Sequence, residues 1–529
     1  MKADIAKKIE KVLQDLQAEG SLPVFDIPAV TVELPKDEQF GEYTSNIALV
    51  IAKGALKNPQ EIANLLLPKL RNDFAQVEVA GPGHLNFYLE SKVFTDAVEE
   101  AIQKKEHFGD STIGRGIQVN NEFISANPTG PLHLGNGRGG FYGDSLGRLL
   151  RKTGYTVTNE YYINDAGEQI TKLGHSVLGD EQAVYGGNYI ALLREKIGKS
   201  KSDVFEVGTK AAQLVLNQYI KPTVEHGMQI RFDVWTSEQA IVESGMIEKA
   251  IEILKTQGRT FEEEGALWLR TTEYGDDKDR VLIKADGSKT YFASDAGHIL
   301  GYIEAGVEKI IETFGADHHG YTKRFEAAAR ALGFTGEIKF LLMQLVKLMK
   351  DGEEVRMSKR AGNVVTMDEL LERVGHDVTR FFFLQYSPDT HMTFDLGLAE
   401  ERSQKNPVFY AQYAHARMAS ILAKGADDAI EYGGADLNLL THDKEKTLMR
   451  EIFGFQEFLE LASQECEPHR LPQLAIRLAD KFHSYYAECQ VIDVENKALS
   501  QARLALVAAT KEVLGETLRL IGVSAPEKM

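Results

Sequence analysis

A loop rich in glycine, proline and hydrogen-bond donors offers the first chemistry in this sequence. The stretch ANPTGPLHLGNGRGG, residues 126–140, contains five glycines and two prolines together with His133 and Asn136. It follows a strand-like segment and precedes a helical one, and the free N–H groups at a helix start favour an anion. Both side chains can donate to phosphate oxygens. The loop therefore predicts a phosphate site, although it matches neither common phosphate-loop pattern and a purely structural turn stays open.

A second candidate lies far downstream, in DGEEVRMSKRAGNVVTMDELL, residues 351–371. Two glycines, Gly352 and Gly362, flank four side chains that donate hydrogen bonds: Arg356, Ser358, Lys359 and Arg360. Donors on a segment that glycines allow to move suit a polyanion better than a packed core. A solvated basic turn is the alternative when the segment is considered alone.

The elements around the first loop indicate an α/β domain with a parallel sheet. GIQVNNEFISAN and TVTNEYYIN predict strands, with a helix from about Gly135 to Lys152 between them. EKIIETF and EIKFLLMQLV predict further buried strands, and the Asp-Gly turn in DRVLIKADGSKTYF predicts a hairpin. Residues 170–275 are mostly helical and charged, and we interpret them as an insertion.

Two other regions flank this domain. Residues 1–112 predict a small α+β unit, in which helices at Ala3–Leu16, Tyr43–Lys53 and Pro59–Leu70 precede strand-like VEVAGPGHLNFYL. Over residues 395–529, apolar side chains recur at helical spacing, which predicts an all-α bundle.

Composition restricts the function classes. The chain has 529 residues, 43% of them hydrophobic, and a formal net charge of −18. This charge argues against a generally basic, non-specific nucleic-acid binder, but a local basic face remains compatible with it. Two cysteines, Cys466 and Cys489, fit a reducing compartment. With neither an apolar signal segment nor about 18 consecutive apolar residues, we expect a cytoplasmic protein without a membrane partner.

Together, the two loops resemble the paired signature motifs of class I aminoacyl-tRNA synthetases, whose usual forms are His-Ile-Gly-His and Lys-Met-Ser-Lys-Ser. Their flanks resemble the arginyl-tRNA synthetase family of bacterial type, in the family's order: NEFISANPTGPLHLGNGRGG, YYINDAGEQI, TYFASDAGHILGY, FGADHHGY, RMSKRAGNVVTMDELL, SPDTHMTFDLGLA and NPVFYAQYAHAR. FGEYTSNIAL and GPGHLNFYL resemble its additional amino-terminal domain. The chain departs from the motifs at Asn136, Arg356 and Arg360, which stand where His, Lys and Ser are usual.

The resemblance implies an architecture and an activity. A Rossmann-like catalytic domain of the class I type would span 113–394, between an N-terminal additional domain at 1–112 that contacts the tRNA elbow and a helical anticodon-binding domain at 395–529. The implied enzyme is an arginine–tRNA ligase, which activates L-arginine with ATP and transfers it to the 3′-terminal adenosine of the tRNA specific for arginine. The resemblance further implies that activation requires tRNA and that Mg²⁺ is bound through the ATP phosphates. It also implies a monomeric state and no DNA partner.

The resemblance also assigns site residues. The catalytic group is His133, Asn136 and Lys359. The ATP-binding group is Gly135, Gly315, Asp317, His318, Arg356, Met357 and Ser358. The arginine-binding group is Glu122, Ser125, Ala126, Asn127, Asn136, Tyr291, Asp295 and His319. The signature motif comprises Ala126, Asn127, Pro128, Thr129, Gly130, Pro131, Leu132, His133, Leu134, Gly135 and Asn136.

Two carboxylates suit arginine, because its guanidinium is a planar fork that binds carboxylates in pairs of hydrogen bonds. The family's pattern places Glu122 and Asp295 on the guanidinium and Tyr291 against the aliphatic stem. His319 is a departure, since a glutamine often holds that position. In the C-terminal domain, Tyr410, Gln412, His415 and Arg417 are the candidates for binding tRNA, since unstacked bases are bound by aromatic and polar groups. Tyr410 could equally belong to the bundle core.

Other interpretations stay open. Asp317, His318 and His319 could bind zinc, but no further spaced ligand completes a set, so no metal site is predicted. A different class I synthetase would not need a pocket for a cation. Asn136 and Arg356 also fit a non-catalytic tRNA-binding paralogue.

Overall fold

The computed structural model describes most of the chain, but not the side chains of Glu38 and His319. The described residues are 1–35, 37–198, 203–316, 319–350, 352–355 and 365–529.

The N-terminal region packs three helices with a three-stranded antiparallel sheet of order β1-β3-β2. Its elements are α1 (Lys2–Ala18), β1 (Tyr43–Ser45), α2 (Ile47–Ala55), α3 (Pro59–Leu70), β2 (Gln76–Ala80) and β3 (His84–Tyr88). The predicted helix from Tyr43 was wrong at its start, because Tyr43–Ser45 pairs with β3 and α2 begins at Ile47. Alternate burial of Tyr43 and Ser45 has the period of a strand.

A long helix, α4 (Ser91–Lys104), connects this region to the central domain. The first half of that domain contains β4 (Gln118–Glu122), α5 (Leu134–Lys152), β5 (Thr156–Ile163), α6 (Glu168–Leu178), α7 (Asn188–Ile197), α8 (Val204–Val215), β6 (Val234–Ser237), α9 (Glu238–Glu243), α10 (Met246–Thr256), β7 (Thr260–Glu263), β8 (Ala266–Leu269) and β9 (Arg280–Ile283). The second half contains α11 (Tyr291–Glu304), β10 (Lys309–Gly315), α12 (His319–Ala331), β11 (Glu337–Met343), β12 (Val346–Lys350), β13 (Glu353–Glu354), α13 (Met367–Val374), α14 (His376–Leu384), β14 (Met392–Asp395) and α15 (Leu396–Glu400).

Five parallel strands form the central sheet in the order β11-β10-β4-β5-β6. The predicted insertion at 170–275 is therefore corrected in one respect: it contains β6, which is an edge strand of this sheet. It also contains β7 and β8, which join β9 in a separate antiparallel sheet. The predicted Asp-Gly hairpin forms its turn, with a bridge between Ile283 and Lys289. Its second arm is not a strand, because Thr290 caps α11 immediately afterwards.

Glycines let α5 lie unusually close to its neighbours. A Cβ on Gly143 would lie 2.2 Å from Phe123 Cγ, and one on Gly140 would lie 2.8 Å from Ile124 Cδ1. Gly137 meets Met367 in the same way, at 2.2 Å from its sulfur. Much of the glycine run that follows the first loop thus serves helix packing, whereas Gly135 is exposed at the helix start.

The C-terminal region is an all-α bundle of α16 (Pro407–Asp427), α17 (Asp443–Gln464), α18 (Arg470–Glu488) and α19 (Lys497–Ile521). The predicted apolar stripe of α18 is its core, with Leu474, Leu478 and Phe482 at most 1% exposed. Helix α4 packs against α17 and α19, so the first region reaches the last. None of the described helices has both the length and the apolar character needed to cross a bilayer.

Candidate active site

The first loop lies where the strand order of the central sheet reverses. The chain runs from β4 to β5 on one side of β4, and returns on the other side with β10. Segments that leave the carboxyl ends of β4 and β10 therefore border one crevice, which is where open α/β sheets bind ligands. His133 is the N-cap residue of α5, and its backbone N–H donates to Asn136 Oδ1 over 3.1 Å. The first-turn N–H groups of α5 thus face this crevice.

The backbone before the loop is strained and held by tyrosines. Ile124 and Ser125 have φ values of 66° and 37°, which residues with a side chain rarely adopt. Tyr161 Oη accepts from the Ala126 N–H at 3.1 Å and donates to the Ala126 carbonyl at 3.0 Å. The Tyr162 N–H donates to Ser125 Oγ over 3.0 Å. Such strain costs about 1–3 kcal/mol per residue and is typical of functional sites.

The segment that follows the second loop is bonded to the first loop. The Met367 N–H donates to the Leu132 carbonyl over 2.9 Å, and Thr366 forms an isolated antiparallel bridge with His133. On the other side, buried Arg138 of α5 donates to the Gln344 carbonyl, at the turn into β12, over 2.8 Å. The chain is therefore bonded to the first loop at Thr366 and Met367, and to α5 at the turn that precedes β12.

Several predicted residues of the nucleotide site lie outside the described part of the chain. These are Asp317, His318, Arg356, Met357, Ser358 and Lys359. Gly315 ends β10 in an exposed position, and His319 begins α12.

Acidic side chains gather next to the first loop. Glu122 ends β4, and Asp295 lies on α11 one turn after Tyr291. His298, one turn further along α11, faces both carboxyls. The Ser125 hydroxyl also lies beside Glu122 and favours its charged form. The structure thus brings Glu122, Ser125 and Asp295, three of the predicted arginine-binding residues, close together.

These carboxyls titrate near neutral pH. Burial raises the pKa of Glu122 to about 7, with Glu160 adding to the effect and His298 opposing it. Burial also raises the pKa of Asp295 to about 6 and, together with the charge of Asp295, that of Glu238 to about 7. Carboxyls in a poorly hydrated site with too few cations are stabilised in their charged form by a bound cation. The pocket therefore suits a cationic ligand.

Tyr291 marks the rim of this pocket. Its side chain is 55% exposed, and its Oη accepts from the Glu168 N–H over 3.2 Å. It therefore joins the start of α11, one turn before Asp295, to the start of α6.

Four groups of the pocket were missed by sequence reasoning: Glu160, Glu238, His298 and Glu312. Glu160 and Glu312 each interrupt a strand that is otherwise largely apolar or β-branched, and this is a signal that could have found them. Glu238 lies in the stretch that we interpret as an insertion, which contains no comparable signal.

A metal is the competing ligand for part of this cluster. Glu122, Glu160 and His298 offer ligand atoms within 4.8 Å of one another. However, His298 Nε2 lies 2.9 Å from Glu160 Oε1, and the Glu160 charge raises the pKa of His298 despite its burial. A proton held on this imidazole competes with a metal for the same lone pair. The arrangement is therefore better suited to an organic cation.

Comparison with known proteins agrees with this chemistry. Three family models match consecutive parts of the chain: "Arginyl tRNA synthetase N terminal domain" at residues 3–89, "tRNA synthetases class I (R), catalytic domain" at 97–381, and "DALR anticodon binding domain" at 411–529. Arginine–tRNA ligases of Bacillus velezensis and Bacillus subtilis are each 42% identical to it, over 99% of this chain and 100% of theirs. This chain belongs to the arginyl-tRNA synthetase family. The resemblance stated from the motifs is thereby confirmed.

The fold is that of the arginyl-tRNA synthetase family as well. The solved Thermus thermophilus arginyl-tRNA synthetase superposes with a TM-score of 0.78 over 100% of both chains, at 22% identity. The sequence predicted three parts: an N-terminal domain, a class I catalytic domain with a parallel sheet, and a helical C-terminal domain. All three are confirmed.

Two of the tRNA-binding candidates are structural residues instead. Gln412 is 6% exposed, and its Nε2 donates to Asp377 Oδ2 at 2.8 Å and to the Ser524 carbonyl at 3.0 Å. His415 is 4% exposed and hydrogen-bonds the Pro526 carbonyl over 2.8 Å. Both side chains therefore fasten the C-terminal tail and are not presented to RNA, which corrects their predicted role.

The other two candidates line a surface groove between α16 and α18. Tyr410 Oη donates to Asp480 over 2.6 Å, and the Arg417 guanidinium lies 4.3 Å from the centre of the Tyr486 ring. His483 lines the same groove. Flat groups of this kind can stack on bases.

Proposed function

We propose that this chain is an arginine–tRNA ligase that forms arginyl-adenylate from L-arginine and ATP, and then charges the tRNA specific for arginine. The observation that carries this proposal is the group of carboxyls with raised pKa values beside the first signature loop, in a chain of the arginyl-tRNA synthetase family. A cation pocket adjoining a phosphate site is what a ligase of arginine requires.

In the first step, the arginine carboxylate attacks the α-phosphorus of ATP and pyrophosphate leaves. This chemistry needs positioning and charge stabilisation more than a protein nucleophile. His133 and Asn136, at the positive end of α5, would bind the phosphates together with Lys359 of the second loop. The anchoring of Thr366 to His133 supports this assignment, because it fixes one end of that loop at the first motif.

Arginine would lie with its guanidinium between Glu122 and Asp295, and Glu238 would add a third carboxylate. The groups proposed to contact the amino and carboxyl end of arginine are Ser125, Ala126, Asn127, Asn136 and His319. Tyr291 is proposed to contact its aliphatic stem. The half-buried backbone at Ser125–Asn127 supports this arrangement, because the tyrosine contacts hold it in place before a ligand arrives.

Mg²⁺ would arrive with ATP. The described groups at the start of α5 are backbone N–H groups, an imidazole and an amide, which suit phosphate oxygens better than a hard cation. For that reason we assign the ion to the nucleotide phosphates and not to a protein cage. The proposed partners of ATP are Gly135, Gly315, Asp317, His318, Arg356, Met357 and Ser358.

In the second step, the 2′-hydroxyl of the terminal adenosine attacks the carbonyl of the adenylate, the bond from that carbonyl to the phosphate oxygen breaks, and AMP leaves. We propose domains at 1–112, 113–394 and 395–529, which contact the tRNA elbow, perform the chemistry and bind the anticodon, respectively. Tyr410 and Arg417 are the proposed base-contacting residues, since both line the groove between α16 and α18. Activation that requires tRNA, a monomeric state and a cytoplasmic location remain proposals from the family resemblance.

Charging assays with different amino acids test this function. Labelled arginine should be esterified to tRNA specific for arginine, whereas lysine and citrulline should not. Lysine lacks the planar fork, and citrulline has the shape but not the charge. Equal use of citrulline would contradict the role given to the carboxyls, and binding of tRNA without any charging would indicate a non-catalytic paralogue.

A further inference from the structure

Three glutamates lie side by side across the central sheet, at the floor of the cation pocket. The strand register pairs Glu312 on β10 with Glu122 on β4, and pairs Glu122 with Glu160 on β5. Paired residues of neighbouring strands point to the same face of a sheet. The three side chains are 1%, 7% and 4% exposed, respectively. They form one buried row, which we call the glutamate row.

The two ends of the row have different surroundings. Glu160 accepts hydrogen bonds from Asn120 Nδ2 at 2.8 Å and from His298 Nε2 at 2.9 Å. Although burial opposes ionisation, the charge of His298 and hydrogen bonds from His298, Thr236 and Tyr302 lower the pKa of Glu160 to about 2. Glu312 has no ion pair with any described basic residue, and its main charged neighbours, Glu122, Glu160 and Asp295, are all acidic. The row therefore contains one firmly ionised end and one end where a charge is unfavourable.

The contact between Glu312 and Glu122 requires a proton. The strand register places their buried carboxyls side by side, and two carboxyl groups can share a hydrogen bond only when one of them is protonated. Burial, the negative neighbours and this bond together raise the pKa of Glu312 well above its ordinary value, whereas that of Glu122 rises only to about 7. The proton therefore belongs to Glu312. Its Oε1 is buried without a hydrogen-bond partner among the described residues.

We propose that Glu312 is a neutral carboxylic acid that donates a hydrogen bond to Glu122 and thereby orients the Glu122 carboxylate towards the arginine guanidinium. Glu312 is a positioning residue, because it acts through Glu122. This inference rests on the proposed function. Tyr302 Oη donates to Glu122 Oε2 over 3.2 Å, so two donors hold the carboxylate from the protein side. A neutral donor holds it without adding a charge that would repel it.

The titratable groups that face Glu312 come from four elements. They are Glu122 on β4, Glu160 on β5, Asp295 and Tyr302 on α11, and Tyr321 on α12. The carboxylates keep Glu312 protonated, and the two tyrosines are neutral because burial and the acidic neighbours raise their pKa values well above the ordinary one.

Two substitutions separate this role from simple packing. Glu312→Gln keeps a donor of the same shape but cannot ionise, whereas Glu312→Met keeps the volume and removes the donor. Arginine KM should stay within about twofold in the Gln variant and rise about tenfold or more in the Met variant, since a hydrogen bond to a charged group is lost. The KM for ATP and kcat should change little in both, because neither touches Glu312.

Proton release on arginine binding gives a second readout. Calorimetry in buffers of different ionisation enthalpy counts the protons that leave when arginine binds at neutral pH. The wild-type protein and the Gln variant should release the same number, since Glu312 keeps its proton throughout. Fewer protons from the Gln variant would show that Glu312 ionises on binding, which would overturn the proposal.

Other outcomes also decide the matter. Equal damage from Gln and Met would mean that an ionised Glu312 is required, and no effect from either would mean that Glu122 needs no support; each overturns the proposal. Thermal melting checks that both variants fold, and if the Met variant does not, the Gln variant and the proton count still decide. A wild-type protein that does not activate arginine would instead refute the proposed function.

Discussion

Arginine use should depend steeply on pH below neutrality. In the empty pocket, burial raises the pKa of Glu122 and Glu238 to about 7 each and that of Asp295 to about 6. A bound guanidinium favours the ionised carboxylates, so arginine binding releases protons. Affinity therefore increases as pH rises through 6 and 7 and becomes constant near pH 8.

The magnitude follows from the ionised fractions. A group with a pKa of about 7 is roughly nine-tenths ionised at pH 8 and roughly one-tenth ionised at pH 6. If arginine binding requires only one of the two glutamates, Glu122 or Glu238, to be ionised, kcat/KM for arginine falls about tenfold from pH 8 to pH 6. If binding requires both glutamates to be ionised, the loss approaches about a hundredfold. Asp295, with its lower pKa, adds about twofold.

The assay is the steady-state rate of tRNA charging as a function of arginine concentration, from pH 6 to pH 8. The KM for ATP, measured on the same samples, should change much less. Glu304→Gln is the matched control, because Glu304 ends the same helix as Asp295 but forms an ion pair with Lys249 away from the pocket. Its profile should equal that of the wild type. A flat arginine profile in folded protein would refute the reasoning.

Four other substitutions test separate parts of the structure. Lys359→Ala should slow the activation of arginine about 10²–10³-fold, as the loss of a preorganised hydrogen-bond donor typically does. Arginine binding, measured by calorimetry, should stay the same. An unchanged activation rate would contradict the phosphate-binding role of Lys359. Gly143→Ala places a Cβ 2.2 Å from Phe123 Cγ, and Phe123 follows Glu122 of the pocket. The substitution should therefore lower the free energy of unfolding by about 1–3 kcal/mol in denaturant melts. It should also raise the KM for arginine. Arg417→Ala should raise the KM for tRNA and leave the KM values for arginine and ATP unchanged. Gln412→Ala should instead lower the melting temperature, because Gln412 is buried. The reverse pattern would show that the groove between α16 and α18 is misassigned.

Local signals in the sequence predicted the elements that carry the loops. The strand, the glycine-rich loop and the helix to Lys152 are where the pattern placed them, because turn chemistry and helix-start signals act over a few residues. Tyr43–Ser45 was misassigned because its strand exists through pairing with β3, some forty residues later. Edge strand β6 was missed for a similar reason: it is four residues long and is defined by its pairing with β5.

The arrangement of the pocket could be predicted only in part. Glu122 and Asp295 followed from the family's motifs, but the glutamate row depends on strand order and register, which bring together residues from three distant stretches. Gln412 and His415 were misread because their partners, Ser524 and Pro526, are more than a hundred residues away. A helical pattern shows which face is apolar, but it does not show that a polar side chain on that helix is buried against a tail.

Arginine-dependent exchange of pyrophosphate into ATP, with and without tRNA specific for arginine, tests the central claim most directly. The pocket of carboxyls beside the phosphate loop predicts exchange that requires arginine, and the family resemblance predicts that it appears only when tRNA is present. Exchange without tRNA would keep the ligase and remove the coupling to tRNA. No exchange under either condition, in folded protein that binds tRNA, would contradict the assignment of this site as one that activates arginine.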